Sequence, residues 1–384
     1  MKAATQQNNK PYRVLGRGGC IACILLTALT PLGLLLISLA RKAPLTVEGR
    51  YSLGWYRGVA RALCALTGGS SFSWMEVVLL LLGGAAVAYL VCWVIEVLRH
   101  RALWWKICLR RLWVIGCVCS AVFFYFILCG DLNYYRQPVG ASLGLTTEAT
   151  DLNTLRALRD FLAEQAAAQR AACTQAEDGI FTVGCSYAEL ADAASAAVTG
   201  LDGQFSVELF SPAGWTRPKA MHFSRTMSAI HLTGVIFPYL MEPNINVEQP
   251  QYGIGSAMCH ELAHICGYMR EDEANFISYL ACNFSPDAGL QYSGTMLALI
   301  HTTNRLYAFD RNAWRDIYEV LGDGILRDLA ANSRYWAQFE TSVGKTADRV
   351  NDAYLKANDQ DFGIRSYGRM VDLLIAYYRA AGIL

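Results

Sequence analysis

Cys259-His260-Glu261-Leu262-Ala263-His264, followed by Gly267 and by Arg270-Glu271-Asp272-Glu273-Ala274-Asn275-Phe276, is the stretch from which the chain can be read outward. An HExxH spacing puts its two histidines at i and i+4 on one face of a helix, so both imidazoles can reach one metal ion at about 2.0 to 2.1 Å. Glu261 is turned about 100° from His260 and can address a metal-bound water, while Leu262 and Ala263 face the core. Gly267 suits a left-handed turn that ends the motif helix, and a second helix is expected to start near Arg270. Catalytic zinc takes three protein ligands and keeps one position open. A carboxylate from the second helix can supply the third, and Glu271, Asp272 and Glu273 all stand there. Glu271 and Asn275 are themselves i and i+4, so a ligand and a polar partner would share a face.

The chain around this motif has 384 residues, 54% of them hydrophobic, with a mean hydropathy of +0.24. Its net charge of +1 hides a division. Residues 1–130 hold 14 basic and 3 acidic side chains, whereas residues 131–384 hold 19 and 29. An acidic second part argues against nucleic acid as a partner, because neutralising phosphates needs clustered Lys and Arg. Three uncharged runs lie in the first part: 21 residues from Cys20 to Ala40, 19 from Val77 to Ile95, and 19 from Leu112 to Gly130. At 1.5 Å rise per residue each can cross a hydrocarbon core of about 30 Å. The expectation is a cytoplasmic tail over residues 1–19, a three-helix membrane region over 20–130, and one further domain over 131–384.

Lys2, Lys10, Arg13 and Arg17 in the tail, with Arg99, Arg101, Lys106, Arg110 and Arg111 in the second loop, outnumber Arg41, Lys42, Arg50, Arg57 and Arg61 in the first loop. The positive-inside rule therefore puts tail and second loop in the cytoplasm and the domain after residue 131 outside. The expected location is the cell membrane, multi-pass, with an extracytoplasmic site. Ser38-Leu39-Ala40 weakly resembles a signal-peptidase site, and the first span is read as an uncleaved anchor. Eight of the 13 cysteines fall in or beside the membrane part. Cys173 and Cys185 flank a short polar segment and could form a local disulfide if the compartment is oxidising, a pairing the sequence leaves open.

In the domain, Leu152 to Ala172 has an amphipathic helical pattern, and a further helix is expected over Tyr187 to Val198. Phe205 to Phe210 and Ile230 to Phe237 have the texture of strands, and helical patterning returns from Gly255 onward. Helices, a small sheet and helices again make an α+β domain. Met370, Leu373, Leu374 and Tyr377 form a C-terminal core stripe.

Glu271-x-x-Ala274-Asn275 resembles the E-x-x-A-[DN] element of gluzincin metallopeptidases, which implies Glu271 as third ligand of one Zn2+ per chain, ahead of Glu273 and then Asp272. The string from Cys259 to Cys282, with Tyr292-Ser293-Gly294 and Arg365-Ser366-Tyr367-Gly368, resembles a family of bacterial membrane proteins, the domain of unknown function 3810. That resemblance implies membrane helices before a zincin-like domain. Six residues separate His264 from Glu271, a shorter gap than in most gluzincins. The metzincin pattern HExxHxxGxxH fails, because its third ligand would be Arg270, which stays protonated. The implied reaction is hydrolysis of a peptide or protein substrate, with Glu261 as general base and Tyr292, Tyr367, Arg365 or His231 as candidate oxyanion donors. Ile230 to Phe237 is expected to be the edge strand that holds the peptide. The alternative is an inactive zincin-fold binding or sensory protein. A third reading, a protease with HExxH inside a span, needs an apolar helix around His260, and Glu242, Glu248, Arg270, Glu271 and Asp272 so close by argue against it.

Overall fold

Long runs of Leu, Ile and Val without internal charge satisfy their backbone only as helices, and three such helices are long and apolar enough to cross a membrane: Gly18–Ala40, Trp74–Arg99 and Arg101–Cys129. The computed structural model describes residues 16–310, 317, 321–358 and 369–384. The longer helices are numbered in chain order. The first apolar segment is α1 (Arg17–Thr27) and α2 (Leu29–Ala40), parted at Ala28; α3 is Arg57–Thr67, α4 Trp74–Arg99 and α5 Trp104–Cys129. Beyond them come α6 (Leu152–Ala171), α7 (Tyr187–Phe205), α8 (Tyr252–Ile265), α9 (Glu271–Phe284), α10 (Ala288–Phe309), α11 (Asp323–Ala337), α12 (Ser342–Ala357) and α13 (Arg369–Ala380).

The chain forms two compact units, one of residues 1–39 and 78–128, the other of residues 40–77 and 129–384. In the first, polar side chains join apolar helices: Thr30 Oγ1 donates to Ser120 Oγ at 2.7 Å, and Ser120 Oγ to the Leu26 carbonyl at 2.7 Å. Bonds of this kind hold helices together where burial against lipid gives no drive.

The second unit contains the HExxH helix. It is more than the 131–384 segment drawn from the sequence, since the connection between the first two apolar helices folds into it. That connection includes a π-helix from Val47 to Tyr56. A three-stranded sheet with order β1-β3-β2 lies in this unit: β1 (Lys219–Ala220) runs parallel to β3 (Glu242–Ile245), and β2 (Gly234–Phe237) antiparallel to it. The architecture is mostly helical with this small sheet. The motif helix α8 is buried against α7, α9, α10 and the sheet, and Met258, Cys259, Leu262 and Ala263 on it have no exposed surface.

Several expected elements take a different form. Helix α7 runs on to Phe205, with a capping box at Ser186 and Glu189 and a left-handed cap at Ser206. No strand follows it at Phe205 to Phe210, because the Asp202 carboxylate accepts the Leu209 and Phe210 N–H groups at 2.7 and 2.8 Å and bends the chain there. The strand expected from Ile230 begins only at Gly234, since His231 sits at φ +58° and turns the backbone. Cys173 and Cys185 are free thiols.

Candidate metal centre

Helix α8 ends in the turn that Gly267 makes possible. At φ +84° Gly267 donates to the His264 carbonyl at 2.9 Å, and Tyr268 donates to the Ala263 carbonyl at 3.1 Å, the paired bonds of a Schellman motif. Arg270 then caps α9, whose first turn carries Glu271, Asp272 and Glu273, acids that the positive end of the helix dipole favours. This tight return brings the two helices side by side. One ligand atom from each of His260, His264 and Glu271 falls within 4.8 Å of the others.

The geometry suits a small divalent cation. His260 Nε2 lies 3.2 Å from Glu271 Oε2, and His264 Nε2 lies 3.8 Å from Glu271 Oε1. Ligands on a tetrahedral zinc ion at about 2.05 Å stand roughly 3.3 Å apart. Each imidazole is also oriented from behind. His260 Nδ1 faces Asn275 Oδ1 at 2.9 Å, and His264 Nδ1 faces the Tyr268 carbonyl at 2.7 Å. Both partners accept, so Nδ1 carries the proton and Nε2 is left to coordinate.

Glu261 is almost wholly buried, and its Oε2 has no hydrogen-bond partner. Burial first, and then repulsion from Glu271, push its carboxyl up to about 8 against the attraction of His260. Burial depresses His260 as well, but its hydrogen bond to the Glu271 carboxylate carries it to about 9; burial and the His260 charge hold His264 down to about 4. His260 Nε2 and the Glu271 carboxylate face each other as a buried hydrogen-bonded pair at 3.2 Å. Gly234 on β2 packs directly on the base: a Cβ there would lie 2.6 Å from Glu261 Oε1. The Ile236 N–H also bonds the Glu261 carboxylate.

β2 is an edge strand. Asn246 donates to the Thr233 carbonyl at 3.0 Å, so by antiparallel alternation the groups of Val235 point to β3 and those of Gly234 and Ile236 point outward. Among the described residues no strand pairs with that outer edge.

The other expected site residues lie elsewhere. Glu273 is turned away from the cluster, accepting from the Val139 N–H at 2.9 Å and from Arg270 at 2.8 Å. Tyr292 is buried and donates to Asp328 at 2.6 Å, in a network that includes Arg170. Ser293 accepts from the Ser256 N–H, and Gly294 leaves room for Cys282, so the Tyr292-Ser293-Gly294 string is packing. His231 has both ring nitrogens engaged, by Asp348 at 3.0 Å and by the Phe339 carbonyl at 3.0 Å, which removes it as an oxyanion donor. Arg365 and Tyr367 lie outside the described residues.

Two tyrosines that the sequence did not single out are coupled electrostatically to Glu271. Tyr134 and Tyr354 hydrogen-bond one another, and after burial the Glu271 charge is among the effects that raise both hydroxyls. Tyr354 also lines a groove of about 790 Å³ that runs between Ile230 to Leu232, just before β2, and the Val343, Ala347 and Val350 face of α12. No local pattern marks these residues, which stand 137 positions before and 83 after Glu271 in the chain.

The family model described as a protein of unknown function, DUF3810, matches residues 51–375. The chain belongs to the DUF3810 family. No curated protein and no solved structure matches it. The matched DUF3810 region spans α8, α9, the sheet and all but the first apolar segment.

Proposed function

We propose that this DUF3810 chain is a membrane-anchored zinc metallopeptidase with a zincin-like site outside the membrane. The observation that carries the reading is the convergence of His260, His264 and Glu271 beside a buried Glu261 whose Oε2 has no partner. An unsatisfied buried carboxylate oxygen costs about 1 to 3 kcal/mol, and a metal-bound water would satisfy it. An intact Glu261 also speaks against an inactive sensor, which has no need for the base.

His260, His264 and Glu271 would hold the ion and leave one position open. When bound, Zn2+ supplies an acidified water and a Lewis acid for the scissile carbonyl. Glu261 takes the proton of the attacking water and returns it to the leaving amine. The Ile236 N–H is taken by Glu261, so the outward Gly234 N–H and C=O and the Ile236 C=O are the groups left to pair with an extended peptide, which brings its carbonyl past Glu261. Tyr354, with Tyr134 donating to it and with its hydroxyl sensing the Glu271 charge, is the candidate donor to the developing oxyanion. The groove along α12 is lined mainly by apolar groups and receives apolar side chains of the substrate. Three spans put residues 40–77 and 129–384 on the same side, in keeping with their folding as one unit.

The test is hydrolysis of a mixed peptide library by the zinc-loaded full chain in lipid nanodiscs. Glu261→Gln is expected to keep zinc and lose about 10²- to 10⁴-fold in rate. Undiminished hydrolysis by that variant would remove the general base from the account.

A further inference from the structure

The loop between the first two apolar helices reaches the back of the metal-binding turn. Arg136, 2% exposed, makes a two-pronged pair with Glu48 of the π-helix, Nε to Oε2 at 2.8 Å and Nη2 to Oε1 at 2.6 Å. Its third nitrogen, Nη1, donates to the Cys266 carbonyl at 3.0 Å, and its guanidinium lies 4.0 Å from the centre of the Tyr268 ring. Tyr268 is the residue whose carbonyl orients His264 Nδ1. Tyr56, at the end of the same π-helix and fully buried, donates to the His264 carbonyl at 3.0 Å, with the Ile265 carbonyl at 3.2 Å. Ser52 donates to Asn133 Oδ1 at 2.7 Å, and a Cβ on Gly267 would meet that oxygen at 3.2 Å and Arg136 Nη1 at 3.1 Å. The turn that follows His264 is therefore clamped on its outer side by groups from the loop. π-helical segments are rare and concentrate at functional sites. A planar, bidentate, ring-stacked guanidinium is also a geometry that Lys cannot reproduce.

We infer that residues 40–77 are a working part of the metal centre, in which Glu48, through Arg136, and Tyr56 are positioning residues for His264. This inference rests on the metal-centre reading above. His264 coordinates only if its ring is held by Tyr268, and Tyr268 is held by a guanidinium that stays in place because Glu48 neutralises it in the interior. The helix that carries both histidines ends against a segment tethered to the membrane on both sides.

The experiment compares the full chain in nanodiscs with Glu48→Gln, Glu48→Asp and Tyr56→Phe. Zinc affinity is read by chelator competition, and amide hydrogen exchange over residues 263–270 is read in the metal-free protein. Removing such outer partners commonly costs about 10- to 100-fold in metal affinity. Glu48→Gln is expected to fall in that range and Tyr56→Phe toward its lower end, both with faster exchange in the turn, and Glu48→Asp to recover part of the loss. Tyr56→Phe keeps its buried ring and carries the test if Glu48→Gln does not fold. Wild-type affinity and wild-type exchange in the folded variants would overturn the inference. A wild-type chain that binds no zinc would instead bring down the metal reading, while the exchange data would still decide whether the loop braces the turn.

Discussion

Glu271 and Glu273 are two residues apart, and the structure gives them different surroundings. Glu271 faces the two Nε2 atoms, while Glu273 is buried between Arg270 and the Val139 N–H. Glu273→Ala is therefore expected to leave zinc binding intact and to lower stability by about 1 to 3 kcal/mol, the cost of a buried donor without its acceptor. Thermal unfolding and metal analysis of the same sample check both halves. Loss of zinc with unchanged stability would mean that the two acids have been assigned the wrong way round. Asn275 and the Tyr268 carbonyl belong to the same scale, since each holds one ring by Nδ1 and leaves its Nε2 toward Glu271.

At the scale of elements, the groove beside the site depends on how α12 is fastened. His231 places one nitrogen on Asp348 of α12 and the other on the Phe339 carbonyl, which only the doubly protonated ring satisfies. The Phe339 carbonyl first, and then Asp348 and Glu340, raise the folded pKa above the ordinary histidine value despite partial burial. A raised value means that the clamp contributes fully below about pH 6.5 and fades as pH rises through the folded pKa. The difference in Tm between wild type and His231→Asn, a residue that tolerates a left-handed backbone, should accordingly be larger at pH 6 than at pH 9; an equal gap at both would rule out the charged clamp. The elements legible in the sequence were those whose signal is local. HExxH with Gly267 gave the helix and its turn, the apolar stripe of Leu155, Leu158 and Leu162 gave α6, and Met370 to Tyr377 gave α13. Strand ends were not legible, because a side-chain bond from Asp202 and the left-handed backbone of His231 override the propensity of the residues around them.

For the whole molecule, the part least visible in the sequence was the loop between the first two spans. Its partners lie far along the chain, Glu48 with Arg136 and Tyr56 with His264, and such contacts leave no periodic trace. The three apolar segments themselves were legible from composition alone. Sidedness remains a prediction of the positive-inside rule, and Cys185 tests it, since that thiol is exposed and lies in the unit that carries the site. A membrane-impermeant thiol reagent added to intact cells with an accessible surface should label the wild type and lose that signal in Cys185→Ser. Labelling that requires permeabilised cells would reverse the topology. The central claim, that two histidines and Glu271 form one metal centre, is tested most directly by the zinc content of the full chain beside His264→Ala and Glu271→Ala. The account predicts about one zinc per chain, lost in both variants. A folded wild-type chain without zinc, or zinc retained when Glu271 is removed, would contradict it.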